Sequence, residues 1–114
     1  MAAERILLLY RLREGIDPKR YERWLRQVER PLVARVGAIE AYAVTRLEEP
    51  DGGQRGLPYD YAEMLEVRSL EAYRTEMDGD PEVGRFLAEW EGYVDEYVVV
   101  QGFVVSEVRK ARDP

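Results

Sequence analysis

The stretch "PYDYAEMLEV", Pro58–Val67, decides the fold, because it has the alternating pattern of a β-strand and follows a turn at Gly56-Leu57-Pro58. Side chains alternate between the two faces of a strand, so one face carries Glu63 together with Tyr59, Tyr61, Leu65 and Val67. Burying an unpaired carboxylate is costly. Glu63 therefore requires either an ion-pair partner or a functional reason.

Similar patterns predict four strands, at residues 5–13, 38–47, 60–68 and 98–108. The segment Glu49–Pro58 is rich in Gly, Pro and Asp, which predicts a mobile loop between the second and third strands.

Two longer helices and one short helix fit between the strands. The first has Asp17 as N-cap and Pro18 as its first residue, and its apolar face has a 3-4-3-4 spacing: Tyr21, Trp24, Leu25, Val28 and Leu32. Pro31 should kink or break this helix, because proline lacks the N–H that a helix interior needs. Ser69 is expected to cap the short helix, and Asp80-Pro81 repeats the start signal of the first helix.

The resulting order, β-α-β-β-α-β, predicts an α+β ferredoxin-like domain over residues 1–114, with a four-stranded antiparallel sheet and helices on one face. Strands one and four carry apolar residues on both faces, although helices can cover only one. A second copy of the same sheet would cover the other face. We therefore expect a homodimer, paired as a dimeric α+β barrel.

Composition excludes several classes of function. The chain has 114 residues, a formal net charge of −6 and no His or Cys. A negative net charge disfavours nucleic acid and anionic membranes as partners. No apolar run reaches the ~20 residues of a membrane span, and the start of the chain lacks a signal-peptide pattern, so we expect a cytoplasmic protein. Without His or Cys, we expect no metal site and no cofactor.

The segment "LLLYRLREGIDPKRYERWLRQVERPLV" resembles the opening of the EthD-like family of dimeric α+β barrels, and still more the RedY-like proteins. The resemblance continues through "PYDYAEMLEV", "LEAYRTEM" and "AEWEGYVDEY". It implies a place in secondary metabolism, since RedY-like proteins occur with red tripyrrole pigment biosynthesis. EthD-like proteins typically carry a His two residues before the proline of the first helix, where this chain has Glu29.

The two candidate catalytic residues are Glu63 and Glu29. Desolvation among apolar neighbours would raise the pKa of Glu63 and make it an acid or base near neutral pH. Alternatively, Glu63 is a structural residue that forms an ion pair with Arg11 or Arg46. Glu29 borders the apolar face of the first helix and occupies the family's His position, and its alternative is a solvated side chain between Arg26 and Arg30.

Five aromatic residues are candidates to bind substrate as pocket walls, with packing in the core as the alternative: Tyr10, Trp24, Tyr42, Tyr61 and Trp90. We expect a homodimer that binds a small apolar, aromatic or pyrrolic metabolite. It would catalyse a cofactor-free cyclisation, dehydration or oxygenation. The alternative is a non-catalytic binding protein or pathway chaperone with the same cleft.

Overall fold

The computed structural model describes residues 4–51 and 56–111. The strands are β1 (Glu4–Leu12), β2 (Ile39–Arg46), β3 (Tyr61–Val67) and β4 (Val94–Phe103), and the helices are α1 (Pro18–Trp24), α2 (Arg30–Arg35), α3 (Leu70–Asp78) and α4 (Pro81–Tyr93). Part of the predicted mobile loop, residues 52–55, lies outside the described residues.

The four strands form one antiparallel sheet in the order β2-β3-β1-β4. The helices pack on one of its faces and enclose the core. This is the ferredoxin-like α+β fold that the order of elements predicts. β1 is a central strand, and it pairs with β3 on one side and with β4 on the other.

The predicted N-caps are confirmed. Asp17 and Asp80 each accept a hydrogen bond from the backbone N–H two residues later, at 3.0 Å and 2.9 Å, and a proline follows each of them. Ser69 accepts from the N–H three residues later at 3.0 Å. These side chains satisfy N–H groups that a helix start leaves unpaired, which is why the helices begin at these residues.

Pro31 interrupts the first helical segment in a specific way. Between α1 and α2, Leu25–Glu29 form a π-helical segment, in which the Arg30 N–H donates to the Leu25 carbonyl. The ring of a proline clashes with the carbonyl four residues earlier in an α-helix, and one wider turn is a common way to relieve such a conflict. The segment ends at Glu29, and its geometry orients that residue.

The predicted bounds of the fourth strand are wrong. The sequence pattern predicts residues 98–108, whereas β4 is Val94–Phe103 and starts directly after α4. Val94 and Tyr97 continue the helical spacing of α4, but pairing with β1 takes precedence: Leu12 pairs with Val94 and Glu4 with Phe103. Residues 104–108 lie beyond the last pair.

The sheet face away from the helices carries an exposed apolar patch. Leu7 pairs with Val100 and Leu9 with Val98 across β1 and β4, and these side chains are between 39% and 48% exposed. We call these four residues the outer apolar patch. Among the described residues, no helix is long and apolar enough to cross a membrane.

Candidate functional site

Among the residues that the structure describes, Glu29 and Glu63 are the two buried acidic residues, and we call them the carboxyl pair. Glu29 is 2% exposed and Glu63 is 6% exposed. Glu29 ends the π-helical segment, and Glu63 lies in the middle of β3 on its helix-facing side, with Leu8 of β1 opposite. The interrupted helix and the strand therefore bring one carboxyl group each to the same place between helices and sheet.

Hydrogen bonding distinguishes the two members of the pair. The Tyr42 hydroxyl donates to Glu29 Oε1 at 2.5 Å, a short hydrogen bond. Glu63 Oε1 is buried and receives no hydrogen bond from an N–H or hydroxyl donor of the described residues. The Glu29 carboxyl lies within hydrogen-bonding range of Glu63. Two carboxyl groups can share a hydrogen bond only when one of them keeps a proton.

The environment places that proton on Glu63. Burial raises the pKa of Glu63 well above its ordinary value, and the charge of Glu29 and the hydrogen bond to it raise the pKa further. Burial also raises the pKa of Glu29, but the donors Tyr42 and Glu63 oppose this rise. Because the Tyr42 hydroxyl donates to Glu29, the pair favours the proton on Glu63 and the charge on Glu29.

The arginines that could have neutralised Glu63 are engaged elsewhere. Arg11 forms ion pairs with Asp95 and Glu96, at 3.4 Å and 3.2 Å. Arg46 is paired with Glu22, to which it donates from Nε at 2.8 Å. Neither arginine supports a purely structural ion pair at Glu63.

The carboxyl pair lines a cavity of about 90 Å³, which we call the inner cavity. Its other walls are apolar side chains from the sheet, α2, α3 and α4, and they include Leu8, Phe86 and Trp90. Tyr73 and Met77 of α3 also line it, although neither is among the site residues that the sequence predicts. Apolar walls with a few convergent polar groups are the usual lining of a small-molecule site, although this cavity is smaller than most such sites.

The predicted aromatic walls do not all meet at this cavity. Trp90 lines it, whereas Tyr42 and Tyr61 line a second cavity, between α1, the π-helical segment and strands β2 and β3. Tyr10 is fully buried in the core, where its hydroxyl accepts from Tyr21 at 2.7 Å. Trp24 stacks on Phe86, with ring centroids 5.2 Å apart, and lines neither cavity.

Sequence reasoning missed the hydrogen bond between Tyr42 and Glu29. A usable signal existed in the register of β2 and β3, because Val44 pairs with Glu63 and Tyr42 with Leu65. Tyr42 and Glu63 thus lie on the same sheet face in neighbouring strands. The π-helical segment that turns Glu29 toward them has no equally clear signal apart from Pro31.

We expect Tyr42→Phe to lower the free energy of unfolding by about 1.5–3 kcal/mol at pH 7, the usual contribution of a hydrogen bond to a charged group. Losing this donor raises the pKa of Glu29 further, so the loss should shrink at pH 4, where Glu29 becomes protonated. Urea denaturation at both pH values measures it. Tyr73→Phe is the control, because its hydroxyl makes no hydrogen bond among the described residues. Equal losses of unfolding free energy in both variants would contradict a stabilising hydrogen bond from Tyr42 to Glu29.

Comparisons with known proteins agree with this fold. The family model described as REDY-like protein HapK matches residues 4–108. HapK from Hahella chejuensis superposes with a TM-score of 0.75 at 16% identity, covering 95% of this chain and 99% of that one. A hydroxynitrile lyase from Passiflora edulis gives 0.76 at 12% identity, with 95% and 98% covered. A dimeric ferredoxin-like protein of unknown function from Thermobifida fusca gives 0.68 at 19% identity, with 90% and 92% covered.

At these identities the likeness to the solved structures concerns the fold. No curated protein sequence matches the chain. Within the part of the chain that the structure describes, no group of three or more His, Cys, Asp or Glu side chains is placed to hold a metal ion.

Proposed function

Because the chain belongs to the REDY-like HapK family, we propose that it binds a small, largely apolar metabolite in the inner cavity and transfers protons to and from it. Glu63 is the acid and Glu29 the base in this proposal. The metabolite is aromatic or pyrrolic, as the apolar walls and the Trp90 ring favour. The chemistry needs no cofactor.

The observation that supports the proposal is the burial of two carboxyl groups, Glu29 and Glu63, in the wall of one apolar cavity. General acid–base catalysis needs a group that holds a proton near neutral pH and a second group that can accept one. Burial raises the pKa of Glu63 toward that range, and Glu29 remains the better acceptor because Tyr42 donates to it. Environments that separate the pKa values of two carboxyl groups are typical of such roles.

A dehydration or dehydrative cyclisation uses both groups at once. The Glu63 carboxyl gives its proton to a leaving hydroxyl, and the C–O bond breaks to release water. The Glu29 carboxylate takes a proton from the neighbouring atom, whose bonding electrons form the new double bond or ring bond. The proton then returns from Glu29 to Glu63 across the pair, which restores the starting state.

The size of the inner cavity limits what enters it. A cavity of about 150 Å³ accommodates benzene, whereas this one is about 90 Å³. The reacting end of the metabolite therefore enters, and the rest of it displaces or contacts the flexible Met77 and the half-exposed Leu87 at the wall. This favours a substrate with one small polar reacting group on an apolar body.

We also propose that the protein is a homodimer, formed by the outer apolar patches of two copies. The patch is contiguous across β1 and β4, and an uncovered apolar sheet face usually marks an interface. The Thermobifida fusca protein of the same fold is dimeric. A twofold axis would pair identical patches, which leaves both inner cavities on the far sides of their sheets.

The fold itself is compatible with catalysis as well as with binding alone. The Passiflora edulis protein of this fold is a hydroxynitrile lyase. A non-catalytic binding protein would need the apolar cavity but would not need a proton held on Glu63. The unpaired Oε1 of Glu63 favours the enzyme over the binding protein.

An NMR titration with pyrrole and phenol as probes tests the binding step. The Trp90 indole N–H should shift with either probe, since its ring lines the cavity. Turnover is tested with pyrrolic and phenolic hydroxyketones, by following water loss in a mass spectrometer for the parent and for Glu63→Gln. Binding without water loss from any of them would establish the non-catalytic alternative. No shift at Trp90 with either probe would overturn the proposal.

A further inference from the structure

We propose that a second cavity binds a small aromatic carboxylate. This cavity lies between the helical stretch from α1 to the start of α2 and the strands β2 and β3 at the edge of the sheet. This arginine-lined cavity is about 220 Å³ in volume. Its helical wall carries Leu25, Arg26 and Arg30, and its sheet wall includes Tyr42, Tyr61 and Arg46. The inference is independent of the chemistry proposed for the inner cavity.

The charges around this cavity leave two arginines without a hydrogen-bonded acidic partner, although the charge of Arg26 helps to lower the pKa of Glu22. Three arginines and one acidic residue, Glu22, line it. Glu22 is saturated, because it accepts hydrogen bonds from Arg46 and from the Tyr61 hydroxyl, the latter at 2.7 Å. Arg26 and Arg30 form no hydrogen bond or ion pair with any residue in the ranges 4–51 and 56–111. A concentrated positive field on a chain of net charge −6 is a specific feature of this site.

Arg26 and Arg30 are brought to one side by the π-helical segment that also orients Glu29. Both side chains are exposed at the cavity; Arg26 lies in the π-helical segment, and Arg30, four residues later, begins α2. Two guanidinium groups at such a spacing can each direct two N–H donors at one carboxylate. The π-helical segment thus contributes Glu29 to the inner cavity and Arg26 to the arginine-lined cavity.

The remaining walls favour an aromatic ring over a simple anion. The rings of Tyr42 and Tyr61, with Leu25 and Val44, provide flat and apolar surface. The volume exceeds the roughly 150 Å³ that accommodates benzene, so a single ring fits with its carboxylate at the arginines. Tyr42 is shared, since its hydroxyl reaches Glu29 while its ring lines this cavity.

Isothermal titration of the parent with benzoate, and with benzyl alcohol as its uncharged counterpart, tests the inference. We expect benzoate to bind at millimolar concentration and benzyl alcohol to bind at least tenfold more weakly, because charge-assisted hydrogen bonds provide most of the affinity. The double variant Arg26→Gln/Arg30→Gln should weaken benzoate binding by more than about tenfold. Arg23→Gln, an exposed arginine of α1 that does not line the cavity, should leave binding unchanged.

Two further titrations distinguish this cavity from a general anion site and from the inner cavity. Inorganic phosphate should not displace benzoate at equal concentration, because it cannot use the aromatic walls. Glu63→Gln should leave benzoate binding intact, since the inner cavity is a different site. The inference is overturned if benzyl alcohol binds as well as benzoate, if phosphate displaces benzoate, or if Arg23→Gln weakens binding as much as the double variant. Loss of benzoate binding in Glu63→Gln would also overturn it, by placing the anion in the inner cavity.

Discussion

The Glu63→Gln variant is expected to be at least as stable as the parent at pH 7, by up to about 4 kcal/mol, while losing proton transfer in the inner cavity. The folded parent keeps a proton on Glu63 that the unfolded chain releases above about pH 4.3, and the glutamine removes this cost of about 1.4 kcal/mol per pH unit. The amide of the glutamine can still donate a hydrogen bond to Glu29, so the Glu29 carboxylate does not lose a donor. Higher stability with lost activity is typical of a residue kept for function.

The pH dependence of this effect has a definite sign. The pKa of Glu63 is raised in the folded state, while an unfolded glutamate titrates at about pH 4.3. The folded parent therefore holds a proton that the unfolded chain releases, and its free energy of unfolding falls as the pH rises from about 4 through the folded pKa of Glu63. Glutamine cannot titrate, so the variant should lose this slope and its advantage should vanish near pH 4.

Thermal melts at pH 4 and pH 7 measure both effects, and Glu66→Gln is the matched control. Glu66 lies on the opposite face of the same strand and is ion-paired with Arg5 and Arg109. The control should be unchanged or less stable at pH 7. A clearly destabilised Glu63→Gln variant that still turns over substrate would make Glu63 a structural residue.

Leu9→Asp is expected to convert the proposed dimer into monomers. The substitution places a carboxylate in the middle of the outer apolar patch and, across a twofold axis, places two of them near each other. Burying unpaired carboxylates costs several kcal/mol, which opposes association of the two patches. Sedimentation velocity at micromolar concentration, with circular dichroism to confirm folding, measures the change.

Leu87→Asp is the control for this prediction. Leu87 lies on α4 on the helical side of the sheet, and at 45% exposed it resembles Leu9 at 39%. The control should remain dimeric. A monomeric parent at the same concentration would show that the outer apolar patch has another occupant or none.

The fold was predictable because its signals are local and repeated. Asp17, Ser69 and Asp80 cap their helices as predicted, and the period-two pattern of "YAEMLEV" matches β3 with alternate residues buried. The start of β4 was not predictable from pattern alone. Val94 and Tyr97 fit a helical spacing equally well, and only the pairing of Val94 with Leu12 decides between helix and strand.

The site was only partly predictable, because it depends on contacts between distant elements. The alternation in β3 identified Glu63 as an anomaly, and proximity to Pro31 marked Glu29. That the two carboxyl groups meet follows from the π-helical segment, whose exact turn the sequence does not encode in any local pattern. The division of the aromatic residues between core and two cavities depends likewise on tertiary packing, as Trp24 and Tyr10 illustrate.

The most direct test of the shared proton is a ¹³C NMR titration of the glutamate carboxyl carbons, with Glu63 assigned by its absence in Glu63→Gln. We predict that the Glu63 carboxyl keeps the chemical shift of a protonated acid well above about pH 4.3, where ordinary glutamates lose their protons. A Glu63 carboxyl that titrates together with the exposed glutamates, at about pH 4.3, would contradict the shared proton.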